Sequence, residues 1–156
     1  MDLNLSGKVA IVTGASKGIG NSIAEALSAE GMKLTLVARS PLEKFSDSLP
    51  TESLPLSIDL RHPDSAARVV DATIEKFGSL DLLVNNAGAT KRGDFLLLTD
   101  EEWTDGFALK FSASMRLSRA AWPHLVKSQG SIINIIGVGG RLVPQSLLSE
   151  AQSMPH

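Results

Sequence analysis

The chain has 156 residues, with 15 Lys and Arg against 17 Asp and Glu and 43% hydrophobic residues. That length and composition fit one globular domain with one core and exclude a disordered chain. A net charge of −2 and 4% aromatic residues speak against a charge-driven nucleic-acid binder. No apolar run is long enough to span a membrane, and Met1-Asp2-Leu3-Asn4 lacks the basic and apolar parts of a signal peptide. A cytoplasmic protein without membrane contact is expected. The absence of cysteine removes thiol nucleophiles, disulfides and Cys-ligated zinc, and suits a reducing compartment. The absence of tyrosine removes every mechanism that needs a phenol as proton donor.

Short apolar runs alternate with helical stretches, which predicts an α/β fold built on a mostly parallel sheet. Residues 8–13 read as a β-branched first strand ended by Gly14. The helix after it carries Ile19, Ile23 and Leu27 at four-residue spacing and stops at Gly31. Residues 33–37 form the second strand, and a loop holding Pro41, Pro50 and Pro55 leads to a third strand at 56–58. A helix starting near Pro63 presents Ala66, Val70, Ile74 and Phe77 on one face and ends at Gly78. The fourth strand covers residues 80–84. Thr99-Asp100-Glu101-Glu102 is a capping box opening a long helix with Trp103, Phe107 and Phe111 at four-residue steps. Gly130 ends that helix and residues 132–136 form the fifth strand. The expectation is about five strands and four helices in a doubly wound, Rossmann-like sheet.

Between the first strand and first helix lies Thr13-Gly14-Ala15-Ser16-Lys17-Gly18-Ile19-Gly20. Its glycines allow a tight turn and close approach of backbone to a pyrophosphate, and the helix start offers free N–H groups and a partial positive charge. The same glycines also suit a plain strand–helix connection, but the flanking elements favour nucleotide binding. The spacing is G-x-x-x-G-x-G rather than G-x-G-x-x-G.

These residues, with Asn85-Asn86-Ala87-Gly88 and with Asp59-Leu60 between the two motifs, resemble the signatures of the short-chain dehydrogenase/reductase family from about Leu5 to Gly140. The resemblance implies an NAD(P)-binding sheet and hydride transfer between nicotinamide and a small-molecule alcohol or carbonyl. It implies that Gly14, Ser16, Gly18 and Gly20 meet the pyrophosphate and Ile19 the nicotinamide end. Asp59 would accept the adenine amine, Leu60 would pack on the ring, and Asn85, Asn86, Ala87 and Gly88 would meet the ribose and brace the neighbouring strands. An NAD enzyme needs an acid after the second strand. Val37-Ala38-Arg39-Ser40 has none there, and Arg39 with Lys17 supplies two cations for a 2′-phosphate. NADP is therefore expected over NAD.

The family's catalytic set is Asn, Ser and Tyr-x-x-x-Lys. On this chain Lys110 falls at the Asn position, Gly137 at the Ser position, and Glu150 and Met154 at the Tyr and Lys positions. No catalytic residue is assigned. Lys110 is kept as a candidate proton donor, since lysine titrates readily when desolvated, beside the reading of a solvated helix lysine. His62, His124 and His156 lack metal-ligand spacing, so no metal is expected. Ser131 and Ser146 lack a positioned base.

Residues 1–143 read as a partial NAD(P)-binding domain and 144–156 as an irregular tail. Family members continue with further helices and strands, so the fifth strand is expected at a bare edge. The apolar Trp103, Phe107, Leu117 and Leu125 are then expected to lack partners, although an intact family member would form a homo-oligomer. Shifted two nucleotides forward, residues 149–156 permit Gly-Gly-Ser-Val-Asn-Ala-Ala. That string resembles a subgroup of the family which also carries the Lys and Gly seen at 110 and 137, so the tail reads as a frameshift product, with an authentic short tail as the rival. The functional expectation is an NADP-preferring oxidoreductase represented by its cofactor-binding portion. The alternatives are a non-catalytic dinucleotide-binding module or an inactive fragment.

Overall fold

The computed structural model describes residues 3–88 and 96–137. Among them, five strands form one wholly parallel sheet in the order β3-β2-β1-β4-β5. Strand β1 (Val9–Thr13) is buried at every residue, as expected where helices cover both faces of a parallel sheet. Its side chains alternate between two cores. Ala10 and Val12 join Leu34, Leu36 and Val84 under helix α1 (Gly18–Ala29), while Ile11 joins Val37 and Leu83 on the other side. Strand β2 (Lys33–Ala38) pairs with β1 from Val9↔Lys33 to Thr13↔Val37. Gly31, at φ +85°, makes the predicted stop after α1; its N–H donates to the Ser28 carbonyl.

The stretch expected to be loop before the third strand contains a short helix, α2 (Glu43–Ser48), and strand β3 occupies Ser53–Ser57 rather than 56–58. Pro55 lies inside that strand, opposite Leu36. It fits because β3 is at the sheet edge, where a missing N–H breaks no second ladder. Helix α3 (Ser65–Phe77) begins just past Pro63 and ends on Gly78 at φ +79°, whose N–H returns to the Ile74 carbonyl. It buries Ala66, Val69, Val70 and Thr73. Strand β4 (Leu82–Asn85) runs beside β1 on the far side from β2.

The capping box forms as expected: the Thr99 hydroxyl accepts from the Glu102 N–H, and the Glu102 carboxylate accepts from the Thr99 N–H. It opens helix α4 (Asp100–Phe107), which passes through a wide π turn (Ala108–Ser112) into helix α5 (Ala113–Ser128). The stripe that packs on the sheet is Leu109, Ala113, Leu117, Ala121 and Leu125. Leu117 and Leu125 are thus buried, not unpartnered as expected. Trp103 and Phe107 are exposed, in line with the expected open patch, and Phe111, Met115, Trp122 and Val126 are exposed as well. Strand β5 (Ser131–Asn134) pairs with β4 and, among the described residues, has no strand beyond it. No helix among the described residues is long and apolar enough to cross a membrane.

Candidate nucleotide-binding cleft

Chain order reverses between β1 and β4, and in an open parallel sheet that reversal leaves a crevice at the carboxyl ends of the strands. Thr13, the last residue of β1, closes the base of this crevice. Its buried hydroxyl donates to the Val84 carbonyl at 3.1 Å and accepts from the N–H groups of Asn86 and Ala87, both at 2.9 Å. One donor and two acceptor sites are thereby all used. Asn86 completes the clamp, donating its side-chain amide to the carbonyls of Thr13 (3.0 Å) and Gly14 (3.3 Å).

That clamp explains two of the glycines. Gly14 has φ +66°, and a Cβ there would stand 2.9 Å from the Asn86 amide nitrogen. At Gly20 a Cβ would run into the Gly14 carbonyl, so the first turn of α1 can approach the loop only with glycine at that position. Helix α1 starts without a side-chain cap and has no acid in its first turn. Its leading N–H groups are therefore free to meet an anion.

Above this turn opens a cleft of about 820 Å³. One wall is formed by Gly14, Ser16, Lys17 and Ile19, the next by Val37, Ala38 and Arg39 at the end of β2. Ile58 and Leu60 follow from the loop after β3, and Asn86, Ala87 and Gly88 from the end of β4. The far wall is Phe107, Leu109, Lys110 and Phe111, with Ile135, Ile136 and Gly137 after β5. Among the described residues, three charged side chains line the cleft, Lys17, Arg39 and Lys110, and all are cationic.

Gly18, Gly20, Asp59 and Asn85 are not part of the lining. Gly18 and Gly20 shape the turn instead, Gly18 at φ +57°. The Asp59 carboxylate accepts from the Arg61 N–H at 3.0 Å and pairs with its guanidinium at 3.4 Å. Burial pushes that carboxyl up, but the Arg61 N–H and the charges of Arg61 and Arg39 outweigh it and hold it below the usual range. Arg61 continues to Asp105 on α4 at 2.7 Å, which ties the Leu60 loop to the far wall. Asn85 is buried and turned toward α5 and β5, donating to Asn134 at 2.9 Å and Ser118 at 3.2 Å.

Lys110 sits in the π turn and leans its stem over Gly88, where a Cβ would come within 3.0 Å of the lysine Cε. Gly137 is beside it in the lining. Glu150, Met154, Ser146 and the tail from 144 lie outside the described residues. His62 and Ser131 are exposed and lie away from the cleft lining.

The sequence matches the short chain dehydrogenase family over residues 8–149. The chain belongs to that family. As a short-chain dehydrogenase it is 38% identical over 143 residues to the 3-oxoacyl-(acyl-carrier-protein) reductase FabG of Vibrio cholerae, covering 90% of this chain and 59% of that protein. It also superposes on L-sorbose reductase from Gluconobacter frateurii, solved with NADPH and L-sorbose, at TM-score 0.82 and 35% identity, over 86% of this chain and 54% of that one. A metagenomic short-chain oxidoreductase in complex with NADP gives TM-score 0.82 at 34% identity, over 86% and 64% of the two chains. This short-chain dehydrogenase thus spans under two thirds of the length of these relatives, all of which are named oxidoreductases or reductases. The match to residue 149 runs past Gly140, where the motif resemblance ends.

Thr13, Ser118 and the Arg61–Asp105 pair also shape the site, although nothing in their local sequence announces it. Thr13 is recognisable only as the residue before a glycine turn. Its three hydrogen-bond partners are 71 to 74 residues away.

Proposed function

We propose that the cleft binds NADP(H) and that the protein carries out hydride transfer between the nicotinamide and an alcohol or carbonyl compound. The observation that carries this reading is the cationic pair on the cleft wall: Lys17 lies in the glycine turn, Arg39 follows β2, and among the described residues no carboxylate lines the cleft to take a ribose 2′-hydroxyl. In this reading the glycine turn and the uncapped start of α1 hold the pyrophosphate, with Gly14, Ser16, Gly18 and Gly20 supplying close backbone approach. Arg39 and Lys17 hold the 2′-phosphate. Leu60 packs on the adenine and Asp59 accepts its amine. Asn86, Ala87 and Gly88 meet the ribose, Asn85 braces the strands that carry them, and Ile19 faces the nicotinamide. When bound, the cofactor supplies the hydride. The residues of this chain bind and orient it and exclude water from the apolar inner wall.

The test is a titration of the chain with NADPH and NADH, before and after Arg39→Asp. The substitution is expected to weaken NADPH by tenfold or more, at roughly one to two charge-assisted hydrogen bonds, and to leave NADH nearly unchanged. Equal loss of both cofactors, or of neither, overturns the assignment.

A second reading, a dinucleotide-binding module without turnover, is favoured by one observation: the chain has no tyrosine, and Lys110 and Gly137 stand at two of the family's catalytic positions. NADPH binding with no turnover of any alcohol or carbonyl would support it, and cofactor turnover would end it. The cysteine-free composition supports a cytoplasmic setting. The exposed apolar side of α4 and α5 supports a homo-oligomer, for which sedimentation is the direct measurement.

A further inference from the structure

The cleft has two cationic ends. Arg39 follows β2 and Lys17 follows β1, whereas Lys110 leans over Gly88, after β4. Strands β2 and β4 are two positions apart in the sheet, about 10 Å at the usual strand spacing, with β1 between them. Lys110 therefore belongs to a different strand end from Arg39 and Lys17, the cations assigned to the cofactor's 2′-phosphate. Its surroundings are also different. Phe107, Phe111, Ile135 and Ile136 make the inner wall apolar, and among the described residues Lys110 is its single charge. The lysine stem is seated over Gly88, a contact that a side chain at 88 would displace. Phe107, Lys110 and Phe111, three and four residues apart, share one wall, while Leu109 reaches into the core below.

We propose that Lys110 is the substrate-selecting residue of this site: it takes the carboxylate of a carbonyl substrate whose apolar body lies against Phe107, Phe111, Ile135 and Ile136. A single ammonium in an apolar wall suits one monoanionic group. A phosphate ester would call for several converging donors, and among the described residues the inner wall offers no charged donor besides Lys110. The proposal rests on the cofactor reading above, because it assigns the inner half of the cleft that the dinucleotide leaves open. Lys110 here binds and positions; the proton-transfer step is not assigned to it.

The test uses the full chain with NADPH, and benzoylformate against its methyl ester, which share a ketone and a ring and differ in the charge. Dissociation constants come from NADPH fluorescence and from saturation-transfer NMR. Benzoylformate is expected to bind about tenfold or more tightly than the ester, at the worth of one charge-assisted contact. Lys110→Met should erase the preference, and Lys110→Arg should retain most of it, which separates loss of charge from loss of folding. Equal affinity of acid and ester for the wild type overturns the proposal, as does a preference that survives Lys110→Met. A Lys110→Met variant that loses NADPH as much as it loses benzoylformate also overturns it, because the lysine then serves the cofactor. If the wild type fails to bind NADPH at all, the cofactor reading falls and this proposal with it. NADPH binding without acid preference removes this proposal alone.

Discussion

Strands β1 and β5 are both short and parallel with isoleucine at their centres, yet β1 is buried at every residue whereas β5 leaves Ile133 46% exposed. For the isoleucines, cover makes the difference. Ile132 stands level with Leu83 and packs into the core under α3 and α5. Ile133 stands level with Val84, on the face that α1 covers over β1 and β2. Among the described residues nothing extends that cover as far as β5. The lesson is that one half of the cleft rests on a doubly covered sheet and the other on a singly covered one. The glycine turn and Arg39 belong to the first half. The apolar wall around Lys110 belongs to the second.

This contrast can be broken most directly by stability. Leu83→Ala should cost about 2–5 kcal/mol in urea unfolding, as for a fully buried leucine, whereas Ile133→Thr on the open face should cost under about 1 kcal/mol. A comparable loss for both would mean that the outer face of β5 is covered after all. The next effect concerns the clamp between the two halves. Thr13→Val removes the acceptor of the half-buried Asn86 and Ala87 N–H groups, with an expected cost of about 1–3 kcal/mol and a fall in NADPH affinity. Thr13→Ser, which keeps the hydroxyl, should restore most of both; failure to do so would show that the methyl, not the hydrogen bonds, matters.

The smallest effect is electrostatic. The Asp59 carboxyl is held below its ordinary value, so its contribution is present above the unfolded pKa and is lost as pH falls through the folded one. Asp59→Asn should lower the melting temperature slightly near pH 7, and the gap to the wild type should close as the solution is acidified below the usual aspartate range. A gap that widens on acidification would contradict the direction of the shift.

Features set by neighbours in sequence were legible. The capping box at Thr99, the stops at Gly31 and Gly78 and the β-branched run of β1 each depend on a few adjacent residues, and each formed as read. Features set by distant neighbours were not. Pro55 suggested loop because its tolerance depends on β3 being an edge, a fact of sheet order. Trp103, Phe107, Leu117 and Leu125 were read together as one open patch, but only the first two are exposed. The packing stripe is held by small alanines at 113 and 121 between leucines, which let α5 approach the sheet. At the cleft, Gly14, Ser16, Ile19, Leu60 and Asn86 to Gly88 could be named from motif resemblance and Arg39 from the missing acid after β2, and they line one cavity. The division of labour between Asn86, which clamps, and Asn85, which turns away, required the fold.

The Asn86–Thr13 clamp has a consequence for synthesis. Its partners are 73 residues apart, and translation at about 5–20 residues per second separates their emergence by roughly 4–15 s. Until Asn86 arrives, the first βαβ unit has its glycine turn but not the two bonds that fix it. A nucleotide therefore has no finished cradle to bind in the early nascent chain. Ligand rescue of folding begins only once β4 has been made and docked, which places the cofactor among the last stabilising partners to act rather than among the first.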